Sequence, residues 1–129
     1  MREIKFRGKV INYGYWVSGS YTGGPNGEYI TTFYNDEWED HQIEPLSVGQ
    51  YTGLKDCDGV EIYEGDFVKE LEGWREEFGQ IAQVKFVKED CAFMLVYPDG
   101  DYIPMGIERR FKVIGNIHDN PKMVKEGEQ

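Results

Sequence analysis

The stretch Gln50–Lys69, QYTGLKDCDGVEIYEGDFVK, decides how the chain is to be folded. Asp56, Asp58, Glu61, Glu64 and Asp66 fall within eleven positions, interleaved with glycine and tyrosine. Three structures could use such a run: a calcium loop, a metal-dependent active site, or two turns between short strands. A calcium loop needs D-x-[DN]-x-[DN]-G and a bidentate glutamate at its twelfth position. With Gly59 as the loop glycine, the first ligand position holds Leu54 and the twelfth holds Gly65. That loop lacks its first ligand and its clamp. A metal-assisted hydrolase needs carboxylates converging on one or two ions, whereas Glu61 and Glu64 would point to opposite faces of a strand. Turns need only what is present, since Asp side chains bond nearby backbone and Gly accepts positive φ. The stretch therefore reads as a strand ending near Leu54, a turn at Asp56–Gly59, the segment Val60–Tyr63, a second turn at Glu64–Asp66, and a strand from Asp66 to Leu71.

The same grammar extends in both directions. Ile4–Lys9 reads as an opening strand. Tyr13–Tyr21 and Glu28–Tyr34 read as a hairpin around the turn-rich TGGPNG at 22–27, with a loop of four to six residues. Asn35–Glu44 is polar and acidic and reads as a loop anchoring Trp38. Beyond a charged tip at 72–78, Gly79–Val87 returns as a strand whose parity breaks at Ile81, the mark of a bulge. Cys91–Tyr97 is apolar throughout, as a central strand would be. Arg110–Ile117 reads as the last strand, with Phe111 and Val113 on one face. Asn120-Pro121 then resembles an N-cap and first helical residue, predicting a short helix to Glu126. The expected architecture is mainly β: an N-terminal β-hairpin region over 1–56, an SH3-like small β-barrel over 57–121, and a helix end and frayed tail over 122–129. Barrel closure is expected because an open sheet leaves reactive edges; an irregular β-sandwich is the alternative.

Bulk properties narrow the function classes. The 129 residues suit one domain, or one with an appendage. Aromatics make up 15%, leaning to tyrosine, and 16 glycines punctuate the chain, which leaves little room for long helices. No apolar run approaches the roughly 20 residues of a membrane span, and MREIKFRGK lacks the apolar core of a signal peptide. Cys57 and Cys91 form no C-x-x-C pair and read as free thiols of a reducing cytoplasm, a disulfide between them being the alternative. The net charge of −10 is uneven: residues 1–34 carry four basic and two acidic groups, 35–101 five and eighteen, and 102–129 five and four. An acidic central band repels phosphate, so no nucleic-acid ligand is expected. No nucleotide loop, nucleophile elbow or H-E-x-x-H motif occurs, His41 and His118 lie far apart, and Cys57 beside two aspartates is a poor nucleophile. No catalytic residue, metal or cofactor is expected. Tyr13, Tyr15, Trp16 and Tyr21 form an aromatic stripe, a candidate subunit interface.

The order REIKFRGK, GYWVSGSYTG, VGQYTGLKDCDGVEIYEGDFVK and FKVIGNIHDNPKMV resembles the YopX family of bacteriophage and prophage proteins, from Arg2 to Val124. The resemblance is most specific at Gln50–Asp66 and Val113–Pro121. It implies a phage or prophage origin, a bacterial cytoplasm, a β-rich fold and self-association; it implies no activity. Its signature residues, expected to be structural, are Gln50, Tyr51, Thr52, Gly53, Leu54, Gly59, Ile62, Tyr63, Glu64, Gly65, Asp66, Gly115, Asn116, Asn120 and Pro121. The functional expectation is a non-catalytic, self-associating interaction module that contacts itself or a host or phage protein. Two alternatives stand beside it: an acidic decoy that mimics nucleic acid toward a host protein, and a metal-assisted hydrolase using the 56–66 cluster.

Overall fold

A computed structural model of the chain describes residues 3–72, 81–105 and 110–121. The fold is mainly β, 62% strand and 6% helical, in two antiparallel sheets. The chain divides into two compact units, residues 1–51 and 52–129.

The N-terminal unit is a coiled meander of β1 (Phe6–Lys9), β2 (Trp16–Gly24), β3 (Gly27–Tyr34) and β4 (Glu37–Gln42), followed by the start of β5 (Gly49–Lys55). β5 begins against β1, with Phe6 opposite Gln50. β2 serves two neighbours in turn: Trp16–Gly19 pair with β1, and Ser20–Gly24 pair with β3. Gly19 sits at the changeover, where the Thr31 carbonyl passes so close that a Cβ would overlap its oxygen. Glycine is needed there for approach, not for an unusual φ. The expected hairpin at Tyr13–Tyr34 forms, but its strands run further into the glycine-rich segment and leave only Pro25-Asn26 as the turn. Val10, Ile30 and Ile43 are buried, and a single bridge joins Val10 to Ile43.

The segment expected to be a loop around Trp38 is instead strand β4. Asn35 and Asp36 both have positive φ, 53° and 61°, the type I′ geometry whose twist matches a two-residue hairpin. Pairs from Tyr34–Glu37 to Tyr29–Gln42 then follow in register. The Thr31 hydroxyl donates to Asp40 at 2.6 Å, and the Phe33 and Trp38 rings meet at 4.5 Å. Trp38 is not anchored inward but 71% exposed.

The C-terminal unit takes the rest of β5, β6 (Glu61–Tyr63), β7 (Asp66–Glu72), β8 (Ile81–Val87), β9 (Ala92–Val96), β10 (Tyr102–Pro104) and β11 (Arg110–Asn116). Its five-stranded sheet has the order β10-β9-β8-β7-β11. β9 is internal, as its apolar sequence predicts. Ile62, Val68, Ala82, Val84, Leu95, Tyr97 and Phe111 form the core, with Leu54 and Val113 packed against it. Full burial of each large aliphatic side chain contributes roughly 1.5–3 kcal/mol.

The expected barrel does not close. β11 returns to the far edge of β7, leaving β10 as the other edge. Pro104 cannot donate to a further strand, so a three-residue strand ending in proline terminates the sheet without closure. Leu54 and Ile62, from β5 and β6 outside that sheet, pack into its core. Irregular register lies in β11, at Arg110/Phe111 and Val113/Gly115, and not at Ile81, which pairs regularly with Lys69. No helix of seven or more residues occurs among the described residues. Asn120 closes a turn, its side chain accepting from the Asn116 N–H at 3.2 Å. The expected helix beyond Pro121, the charged tip at 73–78 and Gly79 lie outside the described residues.

Candidate functional site

The acidic stretch of the sequence is a set of backbone fasteners. Asp56 is buried, and its Oδ1 accepts the N–H groups of Asp58 at 2.8 Å and Val60 at 2.9 Å. Its Oδ2 accepts the Val113 N–H at 3.0 Å, fifty-seven residues away. The Cys57 N–H donates to the Phe111 carbonyl at 2.9 Å, so the turn is stitched to β11 at two points. Burial pushes the Asp56 carboxyl up, but three N–H donors, with Lys112 nearby, outweigh it and hold the group below its ordinary value. Asp66, buried at the head of β7, accepts the Tyr63 N–H at 2.8 Å, and Glu61 accepts the Tyr63 hydroxyl at 3.0 Å. These carboxylates are occupied by the fold. Among the described residues no group of three or more His, Cys, Asp or Glu is placed to hold a metal ion.

The other signature residues lie along β5, β6 and β11 and at the turns beside them. Gln50 pairs with Phe6, and the ring of buried Tyr51 lies 5.1 Å from the Lys5 ammonium. Buried Thr52 donates its hydroxyl to Ile62 O at 2.8 Å and accepts the Leu54 N–H at 3.2 Å. Gly59 and Gly65 have φ of 83° and 95°, as turn glycines require, and Gly53, inside β5, has a φ of 91° that glycine adopts without strain. Gly65 accepts the Ile117 N–H and donates to Val84 O, which brings the two most specific segments of the sequence together. Glu64 is half-buried beside it. Asn116 Oδ1 accepts from His118 and Asp119, Gly115 lies at the β11 irregularity, and Asn120 and Pro121 are exposed in the turn that follows. His41 faces Thr32 at 3.0 Å. Cys57 and Cys91 are both free.

Among the described residues, the most exposed aromatic rings belong to the N-terminal unit. The predicted quartet divides. Tyr13 and Tyr15 are 79% and 51% exposed at the β1–β2 turn, with ring centroids 6.1 Å apart. Trp16 is half-buried, with the Arg7 guanidinium 4.7 Å from its ring centroid. Tyr21 stacks on Phe6 at 5.7 Å and donates its hydroxyl to Glu28 at 2.5 Å, a bond that raises its pKa above the ordinary value. The sequence reading missed Phe33, Tyr34 and Trp38, all exposed on the β3–β4 hairpin. The available signal was Asn35-Asp36 flanked by aromatics, a two-residue turn in itself.

The two exposed clusters differ in charge. Val10–Ser18 carries no ionisable acid or base apart from its tyrosines, whereas the hairpin carries Asp36, Glu37, Glu39 and Asp40. No lysine or arginine occurs anywhere between Val10 and Leu54. Part of the acidic band turns inward, because Asp56, Asp66 and Glu70 are buried.

Comparison with known proteins bears on the fold. A family model described as YopX protein matches residues 5–125. The crystal structure of protein EF1440 from Enterococcus faecalis aligns with a TM-score of 0.56 at 18% identity, covering 96% of this chain and 99% of that one. At that identity the likeness concerns the fold alone. No curated protein matches.

Proposed function

The chain belongs to the YopX family, and from that premise we propose that it is a non-catalytic protein-interaction module, encoded by a phage or prophage, that associates with itself in the host cytoplasm. The observation that carries the reading is the exposed Tyr13–Tyr15 pair at the β1–β2 turn. A two-fold interface sets a surface against its own copy, so the two rings of one chain can meet the two rings of the other. Tyrosines lose little conformational freedom on burial and serve as interface anchors. The carboxylates a hydrolase would need are engaged with backbone in Asp56 and Asp66, and the burial of Asp56, Asp66 and Glu70 removes three charges from any row that could imitate phosphates. No helix among the described residues is long and apolar enough to cross a membrane.

Sedimentation velocity over a concentration series tests the reading. The wild-type chain should reach a dimer or a small closed oligomer at micromolar concentration. Replacing both Tyr13 and Tyr15 by serine should weaken association by about tenfold or more, with an unchanged far-ultraviolet spectrum because both rings are exposed. A chain that stays monomeric throughout the series rejects self-association.

A further inference from the structure

We infer that the outer edge of β4 is a docking site for an extended, basic segment of a partner protein, which adds to the sheet as a strand with an arginine lying over Trp38. The inference rests on the interaction-module reading and names the partner chemistry for a surface distinct from the Tyr13–Tyr15 pair.

The backbone supplies the edge. β4 is the terminal strand of its sheet. The Ile43 N–H donates inward to Glu28 O, and Tyr34 and Glu37 close the hairpin turn. Alternation along an antiparallel ladder then turns Glu37, Glu39 and His41 toward β3, and Trp38, Asp40 and Gln42 outward. The Gln42 carbonyl is taken by the Ile11 N–H at 2.9 Å. The outward N–H and C=O groups of Trp38 and Asp40 have no backbone partner among the described residues. They are the groups that an added strand would pair with.

The side chains select what that strand carries. Glu37 and Glu39 stand on one face of the hairpin, and Asp40 and Trp38 on the other. Trp38 stacks on Phe33 and is still 71% exposed, a broad ring on the same face of the hairpin as Asp40. The cation-free run from Val10 to Leu54 leaves those charges without a lysine or arginine from their own sheet neighbours β2 and β3. Cations on alternate residues of an incoming strand share one face, where they meet Asp40 beside the Trp38 ring, and a guanidinium over an indole adds a cation–π contact. A second copy of β4 fits poorly. Antiparallel pairing about Trp38 and Asp40 would set Glu39 directly opposite its own counterpart, and like charges across a ladder repel. Charged edge strands guard against self-pairing in this way, and the same charge invites a basic strand.

The test uses the full chain and fluorescence anisotropy of a labelled, blocked seven-residue peptide alternating arginine and valine. Two control peptides accompany it. One carries N-methyl groups on alternate amides, which keeps the charge and removes the donors; the other has glutamate in place of arginine. The basic peptide should bind, with affinity falling as salt rises, and the glutamate peptide should not. N-methylation and Trp38→Ala should each weaken binding by about tenfold or more, and Asp40→Lys should weaken it as well. Both substituted side chains are exposed, and unchanged circular dichroism verifies folding. Absence of binding, equal binding of the N-methylated peptide, or indifference to Trp38→Ala overturns the inference. A dimer that Trp38→Ala dissociates overturns it too, by assigning the edge to a second copy. A chain that self-associates through Tyr13 and Tyr15 but ignores the peptide refutes the docking site alone; a monomer that binds the peptide refutes self-association alone.

Discussion

Gly19→Ala is expected to destabilise the N-terminal unit by about 3 kcal/mol or more. The added methyl would overlap the Thr31 carbonyl oxygen and lie 3.1 Å from its carbon, so relief requires backbone movement. The movement would fall where β2 exchanges β1 for β3, beside the Ser20–Thr31 pair. A unit of about fifty residues holds only roughly 3–8 kcal/mol of stability, so the variant should melt lower by roughly 10–20 °C or fail to assemble its sheet. Gly24→Ala is the matched control on the same strand. Its Cβ would meet nothing within 4 Å, and its effect should stay within about 0.5 kcal/mol. Thermal unfolding followed by circular dichroism compares the two. Equal melting temperatures would show that β2 and β3 separate at Gly19 without cost, and the close approach would lose its structural meaning.

The contrast between Gly19 and Asn35-Asp36 shows where the sequence is legible. Turns written in local chemistry can be read directly: Asp56–Gly59 and Glu64–Asp66 are where their aspartates and glycines place them, and apolar Cys91–Tyr97 yields an internal strand. β4 is not written that way. Five of its six residues are charged or amide-bearing or histidine, and nothing alternates; it becomes a strand because a type I′ turn presents it to β3, where Asp40 meets Thr31 and Trp38 meets Phe33. Those pairs exist only after the hairpin forms. That the C-terminal sheet stays open was equally hidden. Choosing β7 rather than β10 as the neighbour of β11 is a long-range decision, and the local clue was the edge-forming Pro104. For the candidate surfaces, the sequence marked the aromatic stripe but could not separate exposed Tyr13 and Tyr15 from Tyr21, whose place is set by Phe6 and Glu28.

Asp56→Ala is expected to cost about 3 kcal/mol, because one carboxylate satisfies three backbone donors and ties a local turn to a distant strand. Asp58 lies at the surface, where water can take over its N–H, whereas the Val113 N–H faces the turn itself. Asp56→Asn separates these contributions. Its amide oxygen can still accept from Asp58 and Val60, but the amide nitrogen would confront the Val113 N–H, donor against donor. The asparagine variant should therefore keep the turn, lose the tie to β11, and fall between wild type and alanine in denaturant unfolding. Acid distinguishes a charged fastener from a neutral one. The folded carboxyl is held below its ordinary value of 3.8, so the unfolded chain binds a proton at a pH where the folded chain does not. The stabilisation is present in full above the unfolded value and disappears as pH falls through the folded one. Between about pH 5 and pH 3 the wild type should consequently lose more stability than Asp56→Asn, and the two curves should converge toward low pH. Parallel curves would mean that the charge on Asp56 does not hold the turn to β11, leaving shape alone to explain why an aspartate begins it.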